Sequence, residues 1–189
     1  MWEDEEILKG CKNDDRKAQE QLYKKYAPVL LGVLCRYSRS RQEAEDLLQE
    51  GFVKIFRNID QYREEGTLLA WMRKIMVNTA IRYYQSNIEE SKNIRLKDTM
   101  ERKLADVDTN VISYSAEEVA KVLQLLPEGF RIVFNMYAIE GYRHKDIAKK
   151  LGISVNTSKS QYARARKFLK KLLEKMENGI LISFNFLIG

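Results

Sequence analysis

The chain is poor in the residues that build redox centres, metal sites and catalytic dyads. Its 189 residues include one histidine, two cysteines and two prolines. His144 has no nucleophile, paired carboxylate or Gly-rich phosphate loop to complete a reactive set. Its place predicts a part in starting a helix. Cys11 and Cys35 are far apart and lack partners at metal-ligand spacing, which predicts free thiols in a reducing compartment. No apolar run approaches the roughly 20 residues of a membrane span. The opening Met1-Trp2-Glu3-Asp4-Glu5-Glu6 is acidic and has no apolar core, so it does not read as a secretory leader. With Pro28 and Pro127 as the only prolines, little interrupts helix formation. These absences argue against an enzyme, a cofactor or metal protein and a membrane protein, and they predict a cytoplasmic chain.

What is present is basic charge gathered in one place. Residues 1–86 carry 15 basic and 14 acidic side chains, residues 87–115 carry 5 and 6, and residues 116–189 carry 13 and 7. The net charge of +6 therefore belongs to the C-terminal part, where a polyanion partner is expected. There, residues 144–173 read HKDIAKKLGISVNTSKSQYARARKFLKKLL. Ala148, Gly152 and Ile153 supply the small residue, tight turn and apolar anchor of a helix-turn-helix. Val155, Ser158, Tyr162, Ala165, Leu169 and Leu172 recur at alternating intervals of three and four, which predicts an inward stripe. The other face carries Asn156, Lys159, Ser160, Ala163, Arg164 and Lys167, donors and small residues suited to a DNA groove. A charge run is usually a solvated helical face. Here turn, stripe and charge coincide, and together they predict DNA binding.

The rest of the pattern is helical almost throughout. Leu22, Tyr26, Val29, Leu30, Val33, Leu34 and Tyr37 predict a buried stripe on one helix, which Pro28 is expected to kink or restart. Ser40 with Glu43 forms a capping box. It opens a helix whose apolar face is Ala44, Leu47, Leu48, Gly51, Phe52, Ile55, Phe56 and Ile59. Residues 62–67 read as a loop, and a third helix is predicted from about Leu68 to Ser86. Residues 87–115 read as a linker with a transient helix near 95–105. Its 29 residues would span about 30 Å as a coil, by ~5–6 Å × √n. Ser115 and Glu118 form a second capping box, after which Val119, Val122, Leu123 and Leu126 face inward. Pro127 marks a break, followed by Phe130, Val133 and Phe134. The expected fold is all-α: two small helical domains joined by a flexible linker, the second a helix-turn-helix domain.

Two further surfaces stay ambiguous on spacing alone. Asp46, Gln49, Glu50 and Val53 lie at i, i+3, i+4 and i+7 beside the apolar stripe of the second helix. Such a stripe either faces water or docks against a partner rich in Arg and Lys. The third helix carries Trp71, Arg73, Lys74, Asn78, Arg82, Tyr83 and Tyr84. Basic and aromatic residues together suit unstacked bases, yet aromatics at helical spacing also build cores. Two other classes stay open: a two-domain helix-turn-helix regulator that binds duplex DNA without polymerase, and a helical interaction protein without DNA. The basic C-terminal segment argues against the latter.

Taken in order, these motifs resemble the extracytoplasmic-function class of bacterial RNA polymerase sigma factors over about residues 5–175. DLLQEGFVKIFRNI (46–59) is similar to the family's core-polymerase-binding helix, AWMRKIMVNTAIRYY (70–84) to the helix that reads the minus-ten element, and residues 126–169 to the domain that reads the minus-thirty-five element. The resemblance implies core polymerase contacts by Asp46, Gln49, Glu50, Phe52 and Phe56. It implies minus-ten contacts by Arg73, Lys74, Asn78 and Arg82, with Asn78 helping to capture a flipped base. Asn156, Thr157, Lys159, Ser160, Arg164, Arg166 and Lys167 become the minus-thirty-five set, and an anti-sigma factor becomes an expected partner. The implied division is a polymerase and minus-ten domain over 1–88, a linker over 89–114, a minus-thirty-five domain over 115–176 and an apolar tail over 177–189. No cofactor or metal is implied.

The chain departs from the family pattern in several places. Arg143 stands where a capping Ser is frequent, which forgoes a cap worth about 1 kcal/mol. Ser158 occupies a buried-stripe position where an aliphatic residue is commoner, and Gln161 replaces a frequent basic residue. The segment after Tyr84 lacks the usual basic run. The tail, ILISFNFLI over 180–188, alternates with a strand period. Exposed, such a run is an aggregation hazard, so it is expected to be covered, with self-association favoured over folding back. A frayed tail without a role is the alternative.

Overall fold

The computed structural model describes residues 2–91 and 116–175. Among them every regular element is helical: α1 (Asp4–Lys12), α2 (Arg16–Cys35), α3 (Arg41–Arg57), α4 (Leu68–Ser91), α5 (Ala116–Gln124), α6 (Glu128–Phe134), α7 (His144–Leu151) and α8 (Val155–Lys175). A short 3₁₀ turn at Ile59–Gln61 follows α3, and a π turn at Asn135–Ile139 extends α6. The all-α expectation holds. Contacts divide the chain into two units, Met1–Tyr83 and Tyr84–Gly189. α4 runs to Ser91, past its predicted end at Ser86, so residues 87–91 of the predicted linker are helical. The rest of the linker, the transient helix near 95–105, the Ser115 cap and the apolar tail lie outside the described residues.

In the first unit, α1 is an element that the sequence patterns left unassigned. Its first turn holds Asp4, Glu5 and Glu6 and its last holds Lys9 and Lys12, charges that complement the helix dipole. It buries Ile7, Leu8 and Cys11. Asp4 accepts a hydrogen bond from the Tyr26 hydroxyl at 2.6 Å and pairs with Lys25 at 2.9 Å. These partners hold the Asp4 carboxyl below its ordinary pKa, the Tyr26 bond first. A Cβ added at Gly10 would fall 2.4 Å from the Ala18 Cβ, so α1 and α2 meet too closely for any side chain there.

Asp15 caps α2 by accepting from the Lys17 N–H at 2.9 Å. Pro28 does not interrupt this helix, contrary to expectation. Pro28 and Lys24 both lie on the exposed side, so the Lys24 carbonyl that loses its amide partner is open to water. Val29 shares that side and is 53% exposed, so it leaves the predicted stripe. Leu22, Leu30 and Leu34 are fully buried, each worth about 1.5–3 kcal/mol.

α3 begins as predicted. Glu43 N–H donates to Ser40 Oγ at 3.2 Å, and the Glu43 carboxylate reaches back to the Arg39 amide, one residue before the cap. Ala44, Leu47, Leu48, Phe52, Ile55 and Ile59 are buried. A Cβ added at Gly51 would lie 2.1 Å from Met76 Sδ, which shows how tightly α3 packs on α4. Thr67 Oγ1 caps α4 by accepting from the Ala70 N–H at 3.2 Å. Leu68, Met72, Met76, Val77, Ala80 and Ile81 form its buried side.

In the second unit, Pro127 separates α5 from α6. Arg131 is buried, and its Nη1 donates to the carbonyls of Gln124 and Leu126 at 3.3 Å. It thereby caps the end of α5, where carbonyls lack helical partners. Leu123, Leu126, Phe134, Ala165, Phe168 and Leu169 form the core, with Val119, Val122 and Phe130 partly buried against it. Gly152 ends α7 at φ +65°, the left-handed conformation that the turn requires. The predicted α8 stripe is buried at Ser158, Ala165, Leu169 and Leu172, with Phe168 added. Val155 is 38% exposed instead. It opens the helix, and Cβ bonds tilt toward the N-terminus, so its side chain leans past the packed turns.

Candidate nucleic-acid interface

Three helices carry a polar stripe beside their buried one. On α3, Asp46, Gln49, Glu50 and Val53 are all exposed. Glu50 pairs with Lys54 at 2.5 Å, and Lys54 also reaches Thr79 Oγ1 at 3.2 Å. A surface i,i+4 pair of this kind is worth about 0.3–0.5 kcal/mol, so it orients Glu50 more than it stabilises the fold. Asp46 and Glu50 line an open groove of about 400 Å³ together with Arg39, Gln42, Glu43 and Tyr83. The two phenylalanines separate from this stripe. Phe52 is buried, its ring 4.6 Å from Tyr23 and 5.8 Å from Phe56. Phe56 is half-buried, and Tyr23, which periodicity did not single out, is 41% exposed beside Phe52.

On α4, Trp71, Lys74, Asn78 and Arg82 follow at intervals of three, four and four, so they share one face. Lys74 and Arg82 are exposed; Trp71 and Asn78 are half-buried. Arg73 lies off this face, half-buried with its Nε enclosed. The face ends at the 62–67 loop. Tyr62 packs its ring 5.6 Å from Trp71 and donates its hydroxyl to the Gly66 carbonyl at 2.6 Å. Glu64 at φ +60° and Gly66 at φ +113° give the loop its shape. A left-handed glutamate is a strained conformation on an exposed loop.

On α8, Asn156, Lys159, Ser160, Ala163, Arg164 and Lys167 are all exposed on one face. Arg166 is also exposed but sits over the Tyr162 ring at 5.9 Å, off the stripe. Thr157 is half-buried and serves the helix start: its N–H donates to Ser154 Oγ at 2.9 Å, and the two hydroxyls lie 2.8 Å apart. The Ser160 hydroxyl donates to the Thr157 carbonyl at 3.0 Å. Ser154 is thus the cap of α8. Its signal was local, a serine three residues before a residue that bonds back to it.

Two of the three departures noted in the helix-turn-helix, Arg143 and Ser158, are linked through the residue that follows the first. Arg143 gives α7 no side-chain cap. The next residue, His144, places Nδ1 2.9 Å from the Oγ of buried Ser158. Its ring stacks on Tyr137 at 4.2 Å and 12°. Burial, and then the charge of Lys159, hold the His144 pKa below its ordinary value. The imidazole is therefore neutral at neutral pH. Cys11 and Cys35 are free thiols, and burial pushes Cys11 up to about 11. Among the described residues no group of His, Cys, Asp and Glu could hold a metal ion, and no helix is long and apolar enough to cross a membrane.

A family model described as Sigma-70 region 2 matches residues 22–88, and one described as Sigma-70, region 4 matches residues 116–169. The chain is 28% identical over 183 residues to the ECF RNA polymerase sigma-E factor of Haemophilus influenzae, covering 92% of this chain and 96% of that one. It is 25% identical over 184 residues to the RNA polymerase sigma-H factor of Pseudomonas aeruginosa, covering 92% and 95%. Among solved structures it is similar to the sigma factor RpoE in complex with the anti-sigma factor NepR from Bartonella quintana. That likeness has a TM-score of 0.47 and 23% identity, and covers 82% of this chain and 96% of that one. The two matched regions stand in the order of the sequence motifs and contain α3, the α4 stripe and the exposed polar face of α8. The chain belongs to the extracytoplasmic-function class of RNA polymerase sigma factors.

Proposed function

We propose that this sigma factor, which directs RNA polymerase to promoters, works through three surfaces and catalyses nothing itself. Core polymerase docks on the exposed acceptors Asp46, Gln49 and Glu50, with half-buried Phe56 at their edge and Phe52 supporting them from the core. Lys74, Asn78 and Arg82 engage the minus-ten element, and Arg73 assists from beside that face. Asn156, Lys159, Ser160 and Arg164 read the minus-thirty-five element in the major groove, while Arg166 and Lys167 hold phosphates. Thr157 contributes by fixing the start of the reading helix. The working units are residues 1–88 and 115–176, with 89–114 as the connection between them. Held by one polymerase, two weak DNA contacts reinforce each other through effective concentration. Unpairing costs a few kcal/mol, which is offset by holding a flipped base near Asn78 and the 62–67 loop.

The observation that carries this reading is the pairing of buried and exposed stripes on α3, α4 and α8, inside the matched sigma-70 regions. Run-off transcription with core polymerase tests it. A transcript from a specific promoter that requires this chain is the expected result. A chain that binds duplex DNA alone and leaves core polymerase unbound would instead be an ordinary regulator. Class membership also supports an anti-sigma factor that covers the α3 surface, and action in the cytoplasm. A pull-down from uninduced host cells that recovers polymerase alone would count against that partner.

A further inference from the structure

Ser158 has no exposed surface and sits where the stripe of α8 calls for an apolar side chain. A buried hydroxyl without a partner costs about 1–3 kcal/mol. Its partner is His144 Nδ1 at 2.9 Å, on the first residue of a helix that has no side-chain cap. The imidazole is itself held from two sides. Tyr137 stacks against it at 4.2 Å, and Tyr162 lies 5.9 Å away at 60°. Tyr137 belongs to the π turn Asn135–Ile139, and Asn135 Nδ2 donates to the Arg131 carbonyl at 2.9 Å within the same stretch. One ring thus joins the end of α6, the start of α7 and the first turn of α8. That turn is pinned at two successive points: at Thr157 by Ser154 and at Ser158 by His144. Asn156 projects from it, and Lys159 and Ser160 follow at once on the next turn.

We infer that His144 is a positioning residue for promoter recognition: through the Ser158 hydroxyl it fixes the orientation of the first turn of α8, and with it the base preference of Asn156, Lys159 and Ser160. The inference rests on the assignment of α8 as the base-reading helix. A purely structural role makes a different prediction. Ser158→Ala removes the hydroxyl and puts a better helix former in the same small space, so the fold itself loses little.

The test uses holoenzyme reconstituted from core polymerase and the full chain. It is challenged with a pool of promoter duplexes randomised across the upstream element, and the bound fraction is sequenced. Ser158→Ala should keep the parent's melting temperature and lower discrimination at the bases read by the first turn about fivefold, the factor that matches a net hydrogen bond of about 1 kcal/mol. His144→Leu should lose as much discrimination. His144→Asn, whose amide can both give and take a hydrogen bond, should retain it. The double variant His144→Leu/Ser158→Ala should lose no more than either single change. Unchanged discrimination in Ser158→Ala, additive losses in the double variant, or an Asn variant as impaired as the Leu variant overturns the inference. Lys159→Ala separates the two layers. If it shifts preference while Ser158→Ala does not, only the coupling fails; if neither does, this turn does not read bases at all.

Discussion

Replacing Arg166 and Lys167 together by alanine should weaken promoter binding without changing which sequence is preferred. Both side chains are exposed, and Arg166 leans over the Tyr162 ring away from the stripe that holds Lys159 and Arg164. Each phosphate contact contributes about 0.9 to the slope of log affinity against log salt. Two lost contacts therefore lower that slope by about 1.8. Over a fourfold rise in salt the parent should lose roughly 12 times more affinity than the variant does, as that slope difference requires. Alanine keeps the helix, and the lost contact with Tyr162 costs about 0.5–1 kcal/mol at an exposed site. Holoenzyme binding to a selected promoter, titrated across salt, gives the slope, and the randomised duplex pool gives the preference. Arg164→Ala is the contrast: it should relax preference at one base position at a cost of roughly 1–3 kcal/mol. An unchanged slope in the double variant, or a shifted preference there, would refute the division between phosphate and base contacts.

The docking surface is checked by Asp46→Ala/Gln49→Ala, which should weaken core binding about thirtyfold, since each of the two lost contacts costs on the order of 1 kcal/mol. Helicity should not change, and unaltered affinity would remove this surface from the reading. Asn78→Ala should spare docking and duplex binding but slow promoter opening, and permanganate reactivity of promoter thymines at the normal rate would contradict it. His144 contributes a pH dependence whose sign follows from its lowered pKa. Stability from the neutral ring is present above the unfolded value, about 6.5, and is lost as pH falls through the lower folded value. The parent's melting temperature should therefore fall more than that of His144→Asn on acidification below about pH 6.5, and equal falls would show that the ring adds nothing. Truncation after Glu177 should convert an oligomeric parent into a monomer on size-exclusion chromatography. An unchanged elution volume would leave the apolar tail without that role.

What was legible in the sequence was whatever depends on neighbours along the chain. The Ser40 cap, the Pro127 break, the Gly152 turn and most of the two long stripes follow from local spacing. The misreadings share a cause: periodicity places a residue on a face but does not say how far the covering element extends. Val29 and Val155 fit their stripes and still face outward. α1 escaped because its three buried residues make too short a pattern, and its anchor, the Asp4–Tyr26 bond, spans 22 positions. Arg131 was counted only as charge. Its burial under the α5 carbonyls becomes visible only when α5 and α6 are folded against each other. The π turn that carries Tyr137 has no signature in spacing at all.

The exposed stripes of α3 and α8 were legible because exposure depends on one face of one helix. A helix of 3.6 residues per turn has room for a buried stripe and a working stripe side by side. α3 and α8 each carry a buried and an exposed stripe, and the order of their residues alternates between the two. Substitutions in these helices should therefore separate by face: Leu47, Ile55 and Leu169 through stability, Asp46, Gln49 and Arg164 through binding. The informative exceptions are the residues that serve both. Phe52 is core by burial yet touches half-buried Phe56 at the edge of the exposed α3 stripe, and Ser158 is core by burial yet precedes Lys159, proposed as a base reader. At such positions a change too small to unfold the chain still moves the surface above it. Ser158→Ala, which removes only a hydroxyl, should alter recognition at little cost in stability, whereas truncation of Phe52 should also cost the stability that a core cavity of its size predicts.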